Sequence, residues 1–407
     1  MTTHPHRPAH PTWPHALLDT SGHDPVPFRQ FVLKVHSRCN LDCTYCYLYR
    51  GRDHSWRERP VRVPGRTVRH TAARIAEHVR THGLDDIRIE LHGGEPLLAG
   101  PAPVLAYARA VREAVPAGCR VTATVQSNGT RLTAPTLDLL AGAGIRVGLS
   151  LDGGRAAHNA RRVDHAGRPA WPAARAAALR LAAHPGSYAG ILCTIDLRAD
   201  PVDVYRSLLE LRPPGVDFLL PHANWGHPPP GLDPRRPGRH RPGPTPYGDW
   251  LAGVFDVWWD EGRLRTRIRL FQEIVALLLG APSGAEAVGL SPVAAVVIET
   301  DGAIEQVDSL RSAYEGAAET GFDVFRHSFD LALRHPGVVA RQLGGRALAP
   351  ECLDCPVGTV CGGGNYVHRY APGSGFRHPS VYCADLERIV RHVAHRLERT
   401  AAEGDGV

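Results

Sequence analysis

Apolar and polar positions recur along this chain with two different spacings. Residues 29–35 (Arg-Gln-Phe-Val-Leu-Lys-Val) form a short apolar run broken by Lys34 and read as a buried strand. Over 66–82, Val68, Ala72, Ile75, Ala76 and Val79 fall on one helical face, and Gly83 supplies the stop. The same alternation continues as strand 87–91, helix 102–115, strand 120–126, helix 134–142, strand 145–151, helix 172–183, strand 189–195, helix 202–211 and strand 216–220. Six strands alternating with helices predict an α/β fold with a parallel sheet. Ligands in such folds gather at the C-terminal strand ends.

The pattern then breaks. Residues 227–246 are rich in proline, carry neither period, and read as a linker or surface loop. Helices are expected over 249–259 and 264–279, bridging to a second unit. A hairpin follows, with strands 293–299 and 303–307 about Asp301-Gly302. A mixed helical stretch is expected over 322–345. A C-terminal helix over 384–400 places Leu386, Ile389, Val390, Val393 and Leu397 on one face. The expected division is therefore a tail (1–27), a core (28–226), the proline-rich loop (227–246), bridging helices (247–290), a smaller α+β unit (291–400) and a short end (401–407).

Composition narrows the function classes. At 407 residues the chain is long enough for a large core and two units. A net charge of +6 is modest for that length, and no run of like charge marks a nucleic-acid face. The basic residues are arginines apart from Lys34. The first 27 residues contain His4, His6, His10 and His15 but no apolar core for a signal peptide. They read as an unstructured tail, with metal binding the alternative. No apolar stretch reaches the ~20 residues of a membrane span. Nine cysteines are too few for a disulfide scaffold of this size, and seven of them fall in two groups. That usage suggests metal and a reducing, cytoplasmic location.

The first group is Cys39-x3-Cys43-x2-Cys46, just past the first strand. Three thiolates hold three irons of a [4Fe–4S] cubane and leave the fourth iron open to a chelating small molecule. Zinc wants a fourth ligand, and a disulfide leaves one thiol over. His92-Gly93-Gly94-Glu95 follows the second strand, Ser127-Asn128 the third, and Asp152-Gly153-Gly154 the fourth. Cys352, Cys355, Cys361 and Cys383 make a full ligand set for one closed centre, either zinc or a cluster. Cys119 and Cys193 read as small buried apolar residues.

The three-cysteine stretch, with Tyr45 before its last thiol, resembles the radical S-adenosylmethionine (SAM) signature. That resemblance implies a partial (β/α)6 barrel. It also implies SAM on the open iron, Tyr45 against the adenine, and Gly93, Gly94 and Glu95 near the methionine ammonium. Ser127 and Asn128 are expected to line the same pocket, with a plain turn the alternative. Ser150 and Arg162 resemble the SAM-contacting pair of the sulfatase-maturase branch, although Arg161 is adjacent. The second cysteine group resembles the SPASM domain, in which these four positions ligate an auxiliary [4Fe–4S] cluster. A further auxiliary cluster of that domain needs cysteines where Val307 and Asn365 stand. Two [4Fe–4S] clusters are therefore expected. Asp308 follows the missing cysteine and occupies the place of the maturases' catalytic aspartate, with a turn cap the alternative.

Several longer stretches are similar to the FxsB-type, cyclophane-forming peptide maturases. They are Arg29–His36, Leu91–Leu98, Asp301–Asp308, Cys361–Tyr370 and Pro379–Cys383. The likeness implies a ribosomal precursor peptide as substrate and a flavodoxin or ferredoxin as one-electron reductant. It implies a bond from an aromatic ring to a side-chain β-carbon. Thioether formation, or oxidation of Cys or Ser as in the sulfatase maturases, is the alternative. Too little chain precedes residue 28 for a fused winged-helix recognition domain, so leader binding is expected to use the barrel, the C-terminal unit or a separate protein.

Overall fold

The computed structural model describes residues 18–232, 243–262 and 265–404. The tail histidines, the middle of the proline-rich loop and the last three residues lie outside that range. The expected alternation is present: β1 (Gln30–His36), α1 (Gly65–His82), β2 (Asp86–Gly93), α2 (Pro101–Ala114), β3 (Arg120–Ser127) and α3 (Ala134–Gly142). It continues as β4 (Ile145–Ser150), α4 (Trp171–Ala182), β5 (Tyr188–Thr194), α5 (Pro201–Leu209) and β6 (Gly215–Leu219). Local chemistry sets the helix ends. Gly83 closes α1 in the left-handed region at φ 59°. Thr133 and Asp200 accept the Thr136 and Asp203 amides at the starts of α3 and α5.

β1 to β6 pair in order and in parallel, with Leu33 opposite Leu91. Phe31, Leu33 and Val35 are fully buried among the outer helices. The alternate positions face inward, as the two-residue period of a strand requires. Gln30 and Val32 line a cavity of about 520 Å³ whose wall also includes Asp217, Phe218 and Leu219 of β6. The sheet therefore curls, bringing its two ends around one interior.

Beyond β6 the structure departs from expectation in three places. The second bridging helix begins only at Arg269, because Arg267–Ile268 pairs with Gly215–Val216 as a short β7. The bridging helices are α6 (Pro246–Val257) and α7 (Arg269–Leu278). The hairpin β8 (Ala295–Ile298) and β9 (Ala303–Glu305) forms, but β8 also pairs in parallel with β1, placing Ile298 opposite Leu33. The C-terminal part thus extends the barrel's own sheet to ten strands. The stretch expected to be helical over 322–345 instead starts in β10 (Glu319–Asp323), then gives short helices α8 (Phe329–Leu333) and α9 (Pro336–Ala340).

Two more short helices, α10 (Pro350–Leu353) and α11 (Gly358–Cys361), precede the long α12 (Cys383–Gly404). Leu386, Ile389, Val390 and Val393 of α12 are buried, as the periodicity predicts. The Asp385 carboxylate accepts the Tyr247 and Gly248 amides at 2.8 and 2.9 Å, locking the start of α12 to that of α6. Burial pushes the Asp385 carboxyl up to about 6. No helix of the described residues is long and apolar enough to cross a membrane.

Candidate active site

The three-cysteine loop is held by backbone bonds from the segment after β4. The Asp42 amide donates to the Val163 carbonyl at 2.7 Å, and the Thr44 amide to Arg161 at 3.1 Å. Cys39, Cys43 and Cys46 pack in one small cluster with Leu41, Tyr45 and Ala170. None is in a disulfide. Burial pushes the Cys39 thiol up to about 12 and raises Cys43 and Cys46 as well. Three clustered thiols that resist ionisation alone are stabilised as thiolates by bound cations.

The glycines of the second motif are required by packing. A Cβ on Gly93 would lie 2.2 Å from the His36 carbonyl oxygen, and one on Gly94 2.5 Å from that of Arg38. They let the end of β2 lie against the entry to the cysteine loop. Glu95 is buried and uses its carboxylate within the protein. It accepts from the Leu97 amide at 3.1 Å, the Ser127 hydroxyl at 2.9 Å and the Asn128 amide at 2.7 Å. Glu95 and Ser127 therefore tie β2 to β3. Asn128 donates to Asn40 at 3.1 Å and approaches the Cys39 sulfur at 3.7 Å. Ser150 accepts from Gln126 at 2.8 Å.

Geometry separates the two adjacent arginines. Arg161 pairs with Asp196 at 3.4 Å. Arg162 is buried, donates to the Tyr45 hydroxyl at 2.7 Å and lies 3.8 Å from Asp152. Tyr45 donates in turn to Asp152. The Arg162 Nε atom is buried without a partner among the described residues. A buried guanidinium nitrogen left open beside the cysteine loop suits a carboxylate ligand.

Asp308 opens a turn three residues past the end of β9, but its carboxylate caps nothing. Its Oδ2 accepts from Lys34 of β1 at 2.5 Å, and His92 lies 3.9 Å away. Lys34 also contacts His92 at 3.2 Å. Oδ1 is buried without a hydrogen bond, with Arg311 Nε at 3.7 Å. Burial alone would raise the carboxyl. Lys34, then His92 and Arg311, outweigh it and hold Asp308 down at about 2. Burial and Lys34 together hold the His92 imidazole below its usual range, hence neutral. The turn-cap alternative is thereby removed, and an ionised carboxylate with one free oxygen takes its place.

Behind this group Arg311 pairs with Asp53, Glu299 and Glu305, and Arg59 with Glu305 and Asp301. These ion pairs fasten the strand delivering Asp308 to the segment after the cysteine loop. Sequence reasoning missed Lys34 and His92 as parts of the site. The signal was present: an inward-facing lysine inside an apolar strand, and a histidine at the next strand's end.

Cys352, Cys355, Cys361 and Cys383 converge on one small cavity of about 20 Å³. None of the four is in a disulfide. Burial pushes Cys361 up to about 11 and Cys383 up to about 12. Four thiols around one space fit a single closed metal centre. Val307 and Asn365 both line the larger cavity, together with His222, His368 and Glu286, and no cysteine lines it. Cys119 and Cys193 are buried in the core, as expected.

Residues 33–186 match the Radical SAM superfamily. This segment is a radical SAM domain. The chain is 25% identical over 355 residues to the serine-type anaerobic sulfatase-maturating enzyme of Klebsiella aerogenes, covering 86% of this chain and 82% of the relative. It is 25% identical to the cysteine-type enzyme of Clostridium perfringens, covering 69% and 74%. The solved structure of native anSMEcpe with bound AdoMet shares the fold, with a TM-score of 0.75 at 20% identity over 92% of this chain and 99% of that one. A radical SAM domain uses SAM and a [4Fe–4S] cluster, and the thiols and Arg162 described above suit that pair.

Proposed function

We propose that this chain is a peptide maturase that removes two electrons from a substrate at a side-chain β-carbon. The observation that carries this reading is the ionised, half-unpartnered Asp308, held against Lys34 of β1, the strand that leads into the three-cysteine loop, and beside His92 of β2. The relatives' names support a peptide substrate, as does the fold shared with anSMEcpe bound to AdoMet and the Cp18Cys peptide. When bound, SAM and the two clusters supply a 5′-deoxyadenosyl radical for hydrogen abstraction and an acceptor for the second electron.

The chain's own residues do the rest. Cys39, Cys43 and Cys46 hold the SAM-binding cluster, and Cys352, Cys355, Cys361 and Cys383 the closed one. Arg162 would bind the SAM carboxylate, and Gly93 and Gly94 would let backbone carbonyls approach the amino group. Tyr45, braced by Asp152 and Arg162, presents its ring to the adenine. Asp308 takes the substrate proton on Oδ1, the oxygen Lys34 leaves open. A one-electron reductant such as flavodoxin or ferredoxin starts the cycle.

Two products share these steps. Oxidation of Ser or Cys to an aldehyde is favoured by the relatives' names. An aryl-to-β-carbon cross-link is favoured by the likeness to the FxsB-type enzymes and by the absence of thiols at Val307 and Asn365. Mass alone does not separate a cross-link from an oxidised serine, since each loses two hydrogens. A hydrazine probe does. Either a hydrazine-reactive product or an unreactive one lighter by two hydrogens is expected from co-expression with a precursor peptide. Gain of a methyl or adenosyl group would refute the proposed reaction.

A further inference from the structure

Far from the cysteine loop, α1 and α8 meet at three side chains. His78 and His82 lie one turn apart on α1, so their rings project from the same face. Their ring centroids are 4.5 Å apart. Both aim at one oxygen of Asp330. His78 Nδ1 lies 2.9 Å and His82 Nε2 2.8 Å from Asp330 Oδ1. The three donor atoms lie within 4.8 Å of one another.

We propose that His78, His82 and Asp330 form a binding site for a divalent transition-metal cation, zinc above all. Two imidazole nitrogens and a carboxylate oxygen are the borderline donor set that Zn²⁺ takes, and hard cations such as Mg²⁺ avoid. Three donors at one point need only small side-chain shifts to surround an ion about 2.0–2.2 Å from each. His78 sits at the floor of the site, 1% exposed, its ring fixed against Phe28, Phe31 and Phe329. His82 and Asp330 are 25% and 36% exposed, which leaves room for water to complete the shell.

The consequence is structural. α1 covers the barrel between β1 and β2, whereas α8 follows the sheet extension that delivers Asp308. An ion here ties residues about 250 positions apart and braces the C-terminal part against the barrel independently of either cluster.

The test uses the full-length, cluster-loaded enzyme under anaerobic conditions, dialysed against zinc and then against buffer. Wild type should retain one more zinc per chain than His82→Ala or Asp330→Asn, the difference cancelling any zinc on the tail histidines. Zinc at a hundredfold over its Kd should raise the wild-type melting temperature by roughly 3 °C, and neither variant should respond. Asp330→Asn keeps a hydrogen-bond acceptor for both histidines, so it separates ligation from a hydrogen-bonded clasp. Equal zinc in all three proteins, or a wild-type melting temperature indifferent to zinc, would overturn the site.

Discussion

Cys43→Ala is expected to abolish reductive SAM cleavage, measured as 5′-deoxyadenosine released, and peptide modification with it. Two thiolates do not retain the open cluster that SAM needs. The loop itself should survive, because its bonds to Val163 and Arg161 run through the backbone of Asp42 and Thr44. The four-cysteine centre lies elsewhere in the fold, so its iron should remain. The variant should therefore be folded, partly loaded and silent. Cleavage at the wild-type rate would remove the three-cysteine loop from the chemistry.

Asp308→Asn should leave SAM cleavage intact and slow product formation by about 10²–10⁴, the usual worth of a positioned base. The amide cannot accept the proton, and it leaves the Lys34 ammonium buried without its counter-charge. Such a loss costs about 3–5 kcal/mol of stability, so melting must be followed alongside turnover. Lys34→Met supplies the complementary result. In wild type the Asp308 carboxyl is held at about 2, so acidification to pH 5 should not silence the base. Without Lys34 burial has less opposition and the carboxyl pKa rises. The base then becomes protonated as pH falls, and an acid limb should appear in the pH–rate profile. Loss of Lys34 also relieves His92, whose pKa rises in the same variant, while Arg311 still favours the ionised carboxylate. Product formation by Asp308→Asn at the wild-type rate would make Asp308 structural.

The six-strand pattern was legible because each inner strand is an apolar run and each helix carries one apolar stripe. Two strands escaped notice for physical reasons. β7 has two residues, too few for any period, and β10 is polar with Gly321 in the left-handed region at φ 77°. The pairing of β8 with β1 is a contact across more than 250 residues that no local pattern announces. The cysteines were legible by spacing, and the glycines by their place after a strand. Arg161 and Arg162 were not separable by sequence, since only their partners, Asp196 and Tyr45, distinguish them. Glu95 was expected beside the cofactor. Its carboxylate proves to be occupied by Leu97, Ser127 and Asn128, a brace that can be read only in three dimensions. Lys34 was visible as an oddity of composition, but its role needed Asp308, 274 residues away.

The central claim is that one cysteine set is open to SAM and the other closed, and spin resonance tests it most directly. The anaerobically reconstituted enzyme should hold about eight irons per chain, and its reduced spectrum should shift on adding SAM. With Cys39, Cys43 and Cys46 all replaced by alanine, roughly half the iron should remain, in a cluster whose spectrum SAM leaves unchanged. A triple variant that holds zinc and no iron, or whose spectrum still shifts with SAM, would contradict the account.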